Sequence, residues 1–321
     1  MTFAGSPDRV EARLVPERGY DFDSYAVSGL PRRPGVPLLR ALGRALAAPV
    51  ACLRILERRR PDVVLGAGGY VAGPMVLAAR LRGIPAALTE ADAHLGLANR
   101  LSAPLARRVF LALPVRREGE KYRAVGRPVP ASSRAAERGA ARARLDLPAE
   151  GPVVLVFGGS LGARLLNELA LDAWAASGPA VLHLCGERDY DALRGRVSRP
   201  DYRLLPFLDE IGLAYGAADL AVARAGGSVW ELAAAGLPAV LVPGEFATGA
   251  HQEKNARWFE QAGGAVVVPE REAVHVADLV AELLAQPERL AAMAAAMRAA
   301  ARPDAAEVIA DEVLSLAAAR R

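Results

Sequence analysis

Residues 153–169 read VVLVFGGSLGARLLNEL. Five apolar residues in a row, three of them valine, run straight into Gly158, Gly159, Ser160 and Gly162, and a pattern with helical spacing opens near Ala163. An unbroken apolar run marks a strand buried on both faces, the kind found in parallel sheets. Glycines let the backbone turn tightly and meet a ligand closely, and a helix N-terminus offers free N–H groups to an anion. The run is not GxGxxG, and no acidic residue stands at ribose-binding spacing downstream, which disfavours a dinucleotide. No Gly-Lys-Ser/Thr follows, so it is not a Walker A loop either. From these residues alone an anion-binding loop and a plain strand-to-helix turn are equally good readings.

The same grammar recurs outward from this stretch. Short apolar runs at 61–65, 85–88, 108–111, 180–184, 220–223 and 239–242 each end in a turn residue and lead into a helical pattern. Strands alternating with helices predict βαβ units and doubly wound α/β domains. In DVVLGAGGYVAGPMVLAARLRG (62–83), Gly66, Gly68, Gly69 and Gly73 surround Tyr70, and a helix is expected from Pro74. In DLAVARAGGSVWELAAAGLPAVLVP (219–243), Arg224, Gly226, Gly227 and Ser228 form the turn and Glu231 falls in the first helical turn. A carboxylate there complements the helix dipole; it could equally hold two ribose hydroxyls. In HQEKNA (251–256), His251 and Asn255 share one helix face, and a solvated polar face is the plainer reading.

Composition agrees with a folded, two-domain chain. Of 321 residues, 52% are hydrophobic and 24% charged, which excludes a disordered chain. Aromatics make up only 5%, so the cores must be built from Ala, Leu and Val. No uncharged apolar stretch is long enough to span a membrane, and the N-terminus carries no signal peptide. Cys52 and Cys185 read as two buried thiols of a reducing compartment. The Arg-, Ala- and Pro-rich stretch 123–152 places a domain boundary near Val129. The domains are then 1–129, joined by a terminal helix over 304–321, and 130–303. A helix over 290–301 is expected to bury Leu290, Met293, Met297 and Ala300 on one face. The formal charge of +4 suits an anionic ligand or surface without choosing one.

Taken in order, GSPDRVEARLVPERGYDFDSYAVSGL, VLGAGGYVAGP, the GRPVP hinge, FGGSLGARLLNEL, RAGGSVWELAAAGLPAVLVP and HQEKNA resemble the lipid-carrier glycosyltransferases of peptidoglycan synthesis along nearly the whole chain. The resemblance implies an α/β GT-B fold: two Rossmann-like, doubly wound parallel-sheet domains and a C-terminal crossover helix. It implies transfer of N-acetylglucosamine from UDP-N-acetylglucosamine to undecaprenyl-diphospho-N-acetylmuramoyl-pentapeptide, with inversion and with neither metal nor cofactor, at the cytoplasmic face of the plasma membrane. A base takes the proton of the acceptor hydroxyl while helix dipoles and loop N–H groups stabilise the departing diphosphate.

Carried over residue by residue, the resemblance puts Ser160 in the donor loop with Gly158, Gly159 and Gly162, and Leu208 of PFLDE beside the uracil. It puts Gly226, Gly227, Ser228, Val229 and Trp230 around the nucleotide, Glu231 on the ribose, and Gln252 with Asn255 near the sugar. Gly68 and Gly69 belong to a further loop. In the run Thr89–Glu90–Ala91–Asp92, Glu90 is retained and Asp92 replaces an amide that contacts donor; His94 follows closely. Pro130 stands where the family ends its hinge in arginine, and Arg127 is the candidate to compensate. The family's opening strand and Gly-Gly-Thr-Gly-Gly-His loop, which carries its candidate base, have no counterpart. That leaves the base unassigned between Glu90 and His94, and leads us to expect that the sequence is an N-terminally short form of a longer protein, with the strands beside the absent one unpaired.

The segment PLLRALGRALAAPVACLRILERRR (37–60) interleaves Leu38, Leu42, Leu46 and Leu53 with Arg40, Arg44, Arg54, Arg58, Arg59 and Arg60. It reads either as a core helix with a basic outer face or as an interfacial helix on an anionic membrane. Its basic residues are not interleaved with aromatics, which argues against nucleic acid. Two other readings are carried alongside the transferase: another UDP-sugar GT-B enzyme, including an epimerase, and a UDP-sugar-binding protein without catalysis.

Overall fold

The structure is a computed structural model and describes residues 1–28, 35–114, 119–159, 162–245 and 251–320, without the side chains of 36–42 and 45. The chain forms two compact units, Met1–Gly126 together with Asp304–Arg321, and Arg127–Pro303.

The first unit runs β1 (Thr2–Gly5), α1 (Glu11–Glu17), β2 (Asp21–Ser24), α2 (Val36–Arg59), β3 (Val64–Gly66), α3 (Gly69–Leu81), β4 (Ala86–Glu90), α4 (Leu97–Ser102), β5 (Arg108–Leu111) and β6 (Tyr122–Ala124). Strands β3, β4, β5 and β6 pair in that order as a parallel sheet, and β1 pairs with β2 as a separate parallel pair. Among the described residues, β1 pairs only with β2 and β3 only with β4. The core between sheet and helices holds Cys52, Ile55, Leu56, Val76, Ala78, Ala79, Leu88 and Val109.

One expectation is corrected here. Helix α3 begins at Gly69, not at Pro74, which sits inside the helix. The proline removes the bond its N–H would have given to the carbonyl of Tyr70, a single loss near the helix start. In α2, Arg58 and Arg59 are ion-paired, while Arg44 and Arg54 are exposed. Arg58 meets Asp23 at 2.6 Å, and Arg59 meets Asp23 at 2.8 Å and Asp21 at 2.7 Å. Asp23 is 9% exposed, and Arg59, then Arg58, hold its carboxyl below the usual carboxylate range. These arginines fasten α2 to β2. Leu46 is exposed, whereas Leu53 is partly buried against the core, and Leu38, Leu42 and Arg40 lie outside the described side chains.

The second unit runs α5 (Arg138–Arg144), β7 (Val153–Phe157), α6 (Arg164–Trp174), β8 (Ala180–Leu184), α7 (Glu187–Leu193), β9 (Tyr202–Leu205), α8 (Ile211–Ala217), β10 (Leu220–Ala223), α9 (Ser228–Ala235), β11 (Ala239–Leu241), α10 (His251–Gln261), β12 (Ala265–Val267), α11 (Val276–Leu284) and α12 (Pro287–Ala300). Its six strands are all parallel in the order β12-β11-β10-β7-β8-β9. Every residue of β7 is buried, as its valine-rich run requires. Val154, Val156, Leu166, Ala170, Val181, Leu220, Val222 and Val240 share one core, at about 1.5–3 kcal/mol for each large side chain buried. On α12, Met293, Met297 and Ala300 are buried and Leu290 is partly so. A buried polar joint ties the unit's first helix to its sheet. Arg142, 1% exposed, donates to the carbonyls of Pro148, Ala149, Gly151 and Ala217 and to Asp219, which also accepts from the N–H of Val153.

The last helix, α13 (Ala305–Ala318), belongs to the first unit. Ile309 packs with Ala87, Phe110 and Val125, and Glu312 pairs with Arg108 at 3.2 Å and with Arg123. Each unit carries one buried thiol. Burial pushes Cys52, in the first unit, up to about 12 and Cys185, in the second, up to about 11.

Candidate functional site

In the second unit the strand order reverses between β7 and β10. In open α/β sheets the crevice beyond the carboxyl ends of the strands at such a reversal is where ligands bind. The loops after β7 and β10 flank it.

After β7, the chain makes a turn in which the N–H of Gly162 donates to the carbonyl of Gly159 at 2.9 Å. Gly162 has φ +71°, and a Cβ there would stand 2.1 Å from the carbonyl oxygen of Cys185. At Gly158 a Cβ would stand 2.3 Å from that of Ala163. The glycines are therefore required by close approach, and they deliver the chain to the start of α6. Ser160 lies outside the described residues.

After β10, Arg224 to Gly227 lead into α9. The guanidinium of Arg127 packs on Gly227, where a Cβ would lie 2.5 Å from its central carbon. A cation thus sits at the N-terminus of α9. Ser228 and Glu231, three residues apart, are half-buried on one face, while Val229 and Trp230 turn into the core at 0% and 3% exposure. Trp230 packs with Trp258 and Phe259. What Val229 and Trp230 can offer a ligand is therefore backbone, which narrows their assigned role. Glu231 Oε2 accepts from Ser133 Oγ at 3.0 Å and from Tyr215 OH at 2.8 Å. Burial, then the charge of Glu231, raises the Tyr215 hydroxyl well above the usual phenol range, so it stays a donor.

The next loop is held by a second network. Gln252 Oε1 accepts from the N–H of Gly244 at 2.9 Å, and Asn255, 4% exposed, donates to the carbonyl of Ala225 at 3.3 Å. Gln252 keeps an amide donor for a ligand, whereas Asn255 braces the β10 loop. Arg224 joins Glu270 at 2.6 Å and donates to the carbonyl of Val242 at 3.0 Å. Glu270 also accepts from the N–H of Glu245 at 2.9 Å. Burial pushes the Glu270 carboxyl up, but the Glu245 N–H and Arg224 outweigh it and keep the group below its ordinary range. Leu208 is half-buried in the turn after β9.

In the first unit, Gly68 and Gly69 open α3, both at positive φ, of +90° and +70°. Glu90, 8% exposed, ends β4 and is fully engaged. Its Oε1 accepts from the N–H of Asp92 at 3.3 Å; its Oε2 accepts from Gly96 N–H at 2.8 Å and Asn99 Nδ2 at 2.9 Å. The carboxylate thereby staples the loop from β4 to α4. Asp92 and His94 are half-buried in that loop, and His94 Nδ1 is buried without a hydrogen-bond partner among the described residues.

Sequence reading missed Ser133, Tyr215 and the Arg224–Glu270 latch. Tyr215 had a signal: it is the one polar-tipped residue in the otherwise apolar α8, IGLAYGA. Ser133 and Glu270 had none.

The chain matches the glycosyltransferase family 28 N-terminal domain over residues 2–111 and the family's C-terminal domain over residues 153–309. It is 43% identical to a protein of Salinibacter ruber named UDP-N-acetylglucosamine–N-acetylmuramyl-(pentapeptide) pyrophosphoryl-undecaprenol N-acetylglucosamine transferase, over 99% of this chain and 88% of that one. Its structure resembles the crystal structure of Acinetobacter baumannii MurG, with a TM-score of 0.78 at 29% identity, over 98% of this chain and 90% of the other. A UDP-GlcNAc 2-epimerase from Neisseria meningitidis shares the fold alone, with a TM-score of 0.62 at 14% identity over 98% of each chain. The fold class is thus GT-B, as expected, and the chain belongs to glycosyltransferase family 28, with the N-acetylglucosamine transferases among its relatives.

Proposed function

We propose that this chain transfers N-acetylglucosamine from UDP-N-acetylglucosamine to the muramoyl hydroxyl of undecaprenyl-diphospho-N-acetylmuramoyl-pentapeptide, inverting the anomeric carbon. The observation that carries the reading is the arrangement at the start of α9: a carboxylate fixed by two buried hydroxyls, beside a guanidinium packed on the helix N-terminus. The carboxylate of Glu231 suits ribose hydroxyls, which are donors. Arg127 and the helix N–H groups suit a diphosphate, whose charge grows as it leaves. Gln252 offers its amide to the transferred sugar. With Glu90 committed to its loop, His94 is the candidate base of the first unit; its Nδ1, buried in this state, has no hydrogen-bond partner among the described residues.

For the lipid-linked acceptor we place the membrane contact on α3 and α4, not on the basic end of α2. Leu77, Leu81, Leu97 and Leu101 are 36%, 64%, 61% and 68% exposed, with Arg80 and Arg100 exposed among them. No helix among the described residues is long and apolar enough to cross a membrane. An apolar patch with basic neighbours suits peripheral attachment to an anionic leaflet, on the cytoplasmic side where a nucleotide-sugar is supplied.

The test is transfer of radiolabelled N-acetylglucosamine from UDP-N-acetylglucosamine to the lipid-linked muramoyl-pentapeptide by the purified chain. Glu231→Ala and Gln252→Ala are expected to lower kcat/KM at least tenfold, chiefly through donor KM. Donor binding without any transfer by the wild-type chain would overturn the catalytic reading in favour of a binding protein.

A further inference from the structure

The two hydroxyls on Glu231 come from segments remote in sequence, and both go to the same oxygen. Ser133 is 2% exposed and Tyr215 is 3% exposed, so neither competes with bulk water for its partner. The two donors occupy the lone pairs of Oε2. Among the described residues Oε1 takes no hydrogen bond, and Glu231 itself is half-buried. A diol meeting this carboxylate therefore meets Oε1.

The frame behind the two hydroxyls is rigid. Gly212, in the first turn of α8, lies so close to the segment before α5 that a Cβ would stand 2.1 Å from the carbonyl oxygen of Arg134 and 2.9 Å from that of Ser132. The N–H of Ala136 donates to the carbonyl of Gly212 at 2.9 Å, and the N–H of Ser133 to that of Pro130 at 2.9 Å. Ser133 and Tyr215 are thus presented as one piece. The Tyr215 ring also packs on Phe157, the last residue of β7, with centroids 6.2 Å apart. That joins the frame to the strand that feeds the glycine turn. A free glutamate side chain gives up about 1.5–2 kcal/mol of rotamer entropy when a ligand fixes it. Here the fold has already fixed it.

We propose that Tyr215 and Ser133 are positioning residues, holding Glu231 by Oε2 so that Oε1 is presented to the ribose hydroxyls of the donor; this rests on the ribose reading of Glu231. The prediction concerns discrimination, which a purely structural role would not change. UDP-N-acetylglucosamine and its 2′-deoxyuridine counterpart are titrated into the full chain and into Tyr215→Phe, Ser133→Ala, Glu231→Ala and the Tyr215→Phe/Glu231→Ala double variant, with Tm recorded for each. The wild-type chain should prefer the ribonucleotide and Glu231→Ala should not. Tyr215→Phe should lose about tenfold in affinity for the ribonucleotide, as expected for one hydrogen bond to a charged group, with little change for the deoxy form. The rise should appear in KM with kcat kept, Ser133→Ala should act in the same direction, and the double variant should bind no worse than Glu231→Ala. If Tyr215→Phe and Ser133→Ala both retain the full preference, or weaken both ligands equally, the positioning role is wrong while the ribose reading stands. If the wild-type chain shows no preference, or Glu231→Ala keeps it, the ribose reading itself fails and takes this proposal with it.

Discussion

Gly162→Ala separates two costs that usually arrive together. At φ +71° an alanine pays for a left-handed backbone, about 1–2 kcal/mol. Its Cβ would also stand 2.1 Å from the carbonyl oxygen of Cys185, whereas unstrained heavy-atom contacts lie at about 3.5–4.0 Å. The turn must therefore move by more than about 1 Å, and overpacking of that kind costs about 1–3 kcal/mol. Gly159 in the same turn supplies the control. Its φ is +91°, yet nothing among the described residues lies within 4 Å of a Cβ placed there. Gly159→Ala should thus lose only the backbone term, and Gly162→Ala about 2 kcal/mol more. For a unit of this size that difference is roughly 4–8 °C in Tm. Urea unfolding and thermal unfolding of the two variants, followed by the same probe, measure it. Equal losses in the two variants would refute the claim that close approach, and not backbone conformation alone, dictates glycine at 162.

Three further outcomes are expected. Arg142→Met should cost about 1–3 kcal/mol in urea unfolding, because it leaves four carbonyls without their donor while Asp219 keeps Arg138 and the Val153 N–H; a loss under about 1 kcal/mol would show the joint to be redundant. Burial lowers His183 from its ordinary 6.5 to about 3, so the folded chain keeps a neutral ring, hydrogen-bonded to Tyr202 and Asn167, while the unfolded chain protonates. Its contribution is complete above pH 6.5 and is lost as pH falls from 6.5 towards 3, and His183→Gln should flatten the Tm–pH curve across that window. Co-sedimentation with anionic vesicles should weaken with added salt and drop sharply in Leu81→Glu and Leu101→Glu; pelleting unchanged in both variants would remove α3 and α4 as the contact.

The legible parts of the fold were those where burial is two-sided. All seven strands expected from apolar runs are present, and β7, β8, β10 and β11 carry the second sheet. The strands that sequence reading passed over, β2, β6, β9 and β12, each end a sheet. Edge strands are covered on fewer sides, so DFDS, YRA and YRLL keep polar residues that mask the apolar signal, and AVV is too short to stand out. The opening strand Thr2–Gly5 pairs with β2, apart from the sheet of β3 to β6. Within the candidate site, the glycine turns and the place of Glu231 in the first turn of α9 were legible because each is local to one strand–helix junction. The groups that aim Glu231 and latch the Gln252 loop were not. Their partners lie far along the chain, from Ser133 to Glu231 and from Arg224 to Glu270, and only folding makes them neighbours. Arginine pairing was equally hidden: Arg58 and Arg59 are held by Asp21 and Asp23, while Arg44, Leu46, Val50 and Arg54 of the same helix are exposed.

The two thiols give the molecule an internal pair of reporters. Only the thiolate reacts with alkylating reagents, and thiols raised to about 12 and about 11 stay almost wholly protonated near neutrality while the fold shields them. Modification then waits for opening. Because Cys52 belongs to one unit and Cys185 to the other, a single pulse of an isotope-coded reagent, followed by peptide mass analysis, clocks the two openings separately in the same tube. Adding a nucleotide-sugar should slow the Cys185 clock, since Cys185 lies against the turn at Gly162, and the extent of slowing is a direct reading of how tightly that turn is held by its ligand.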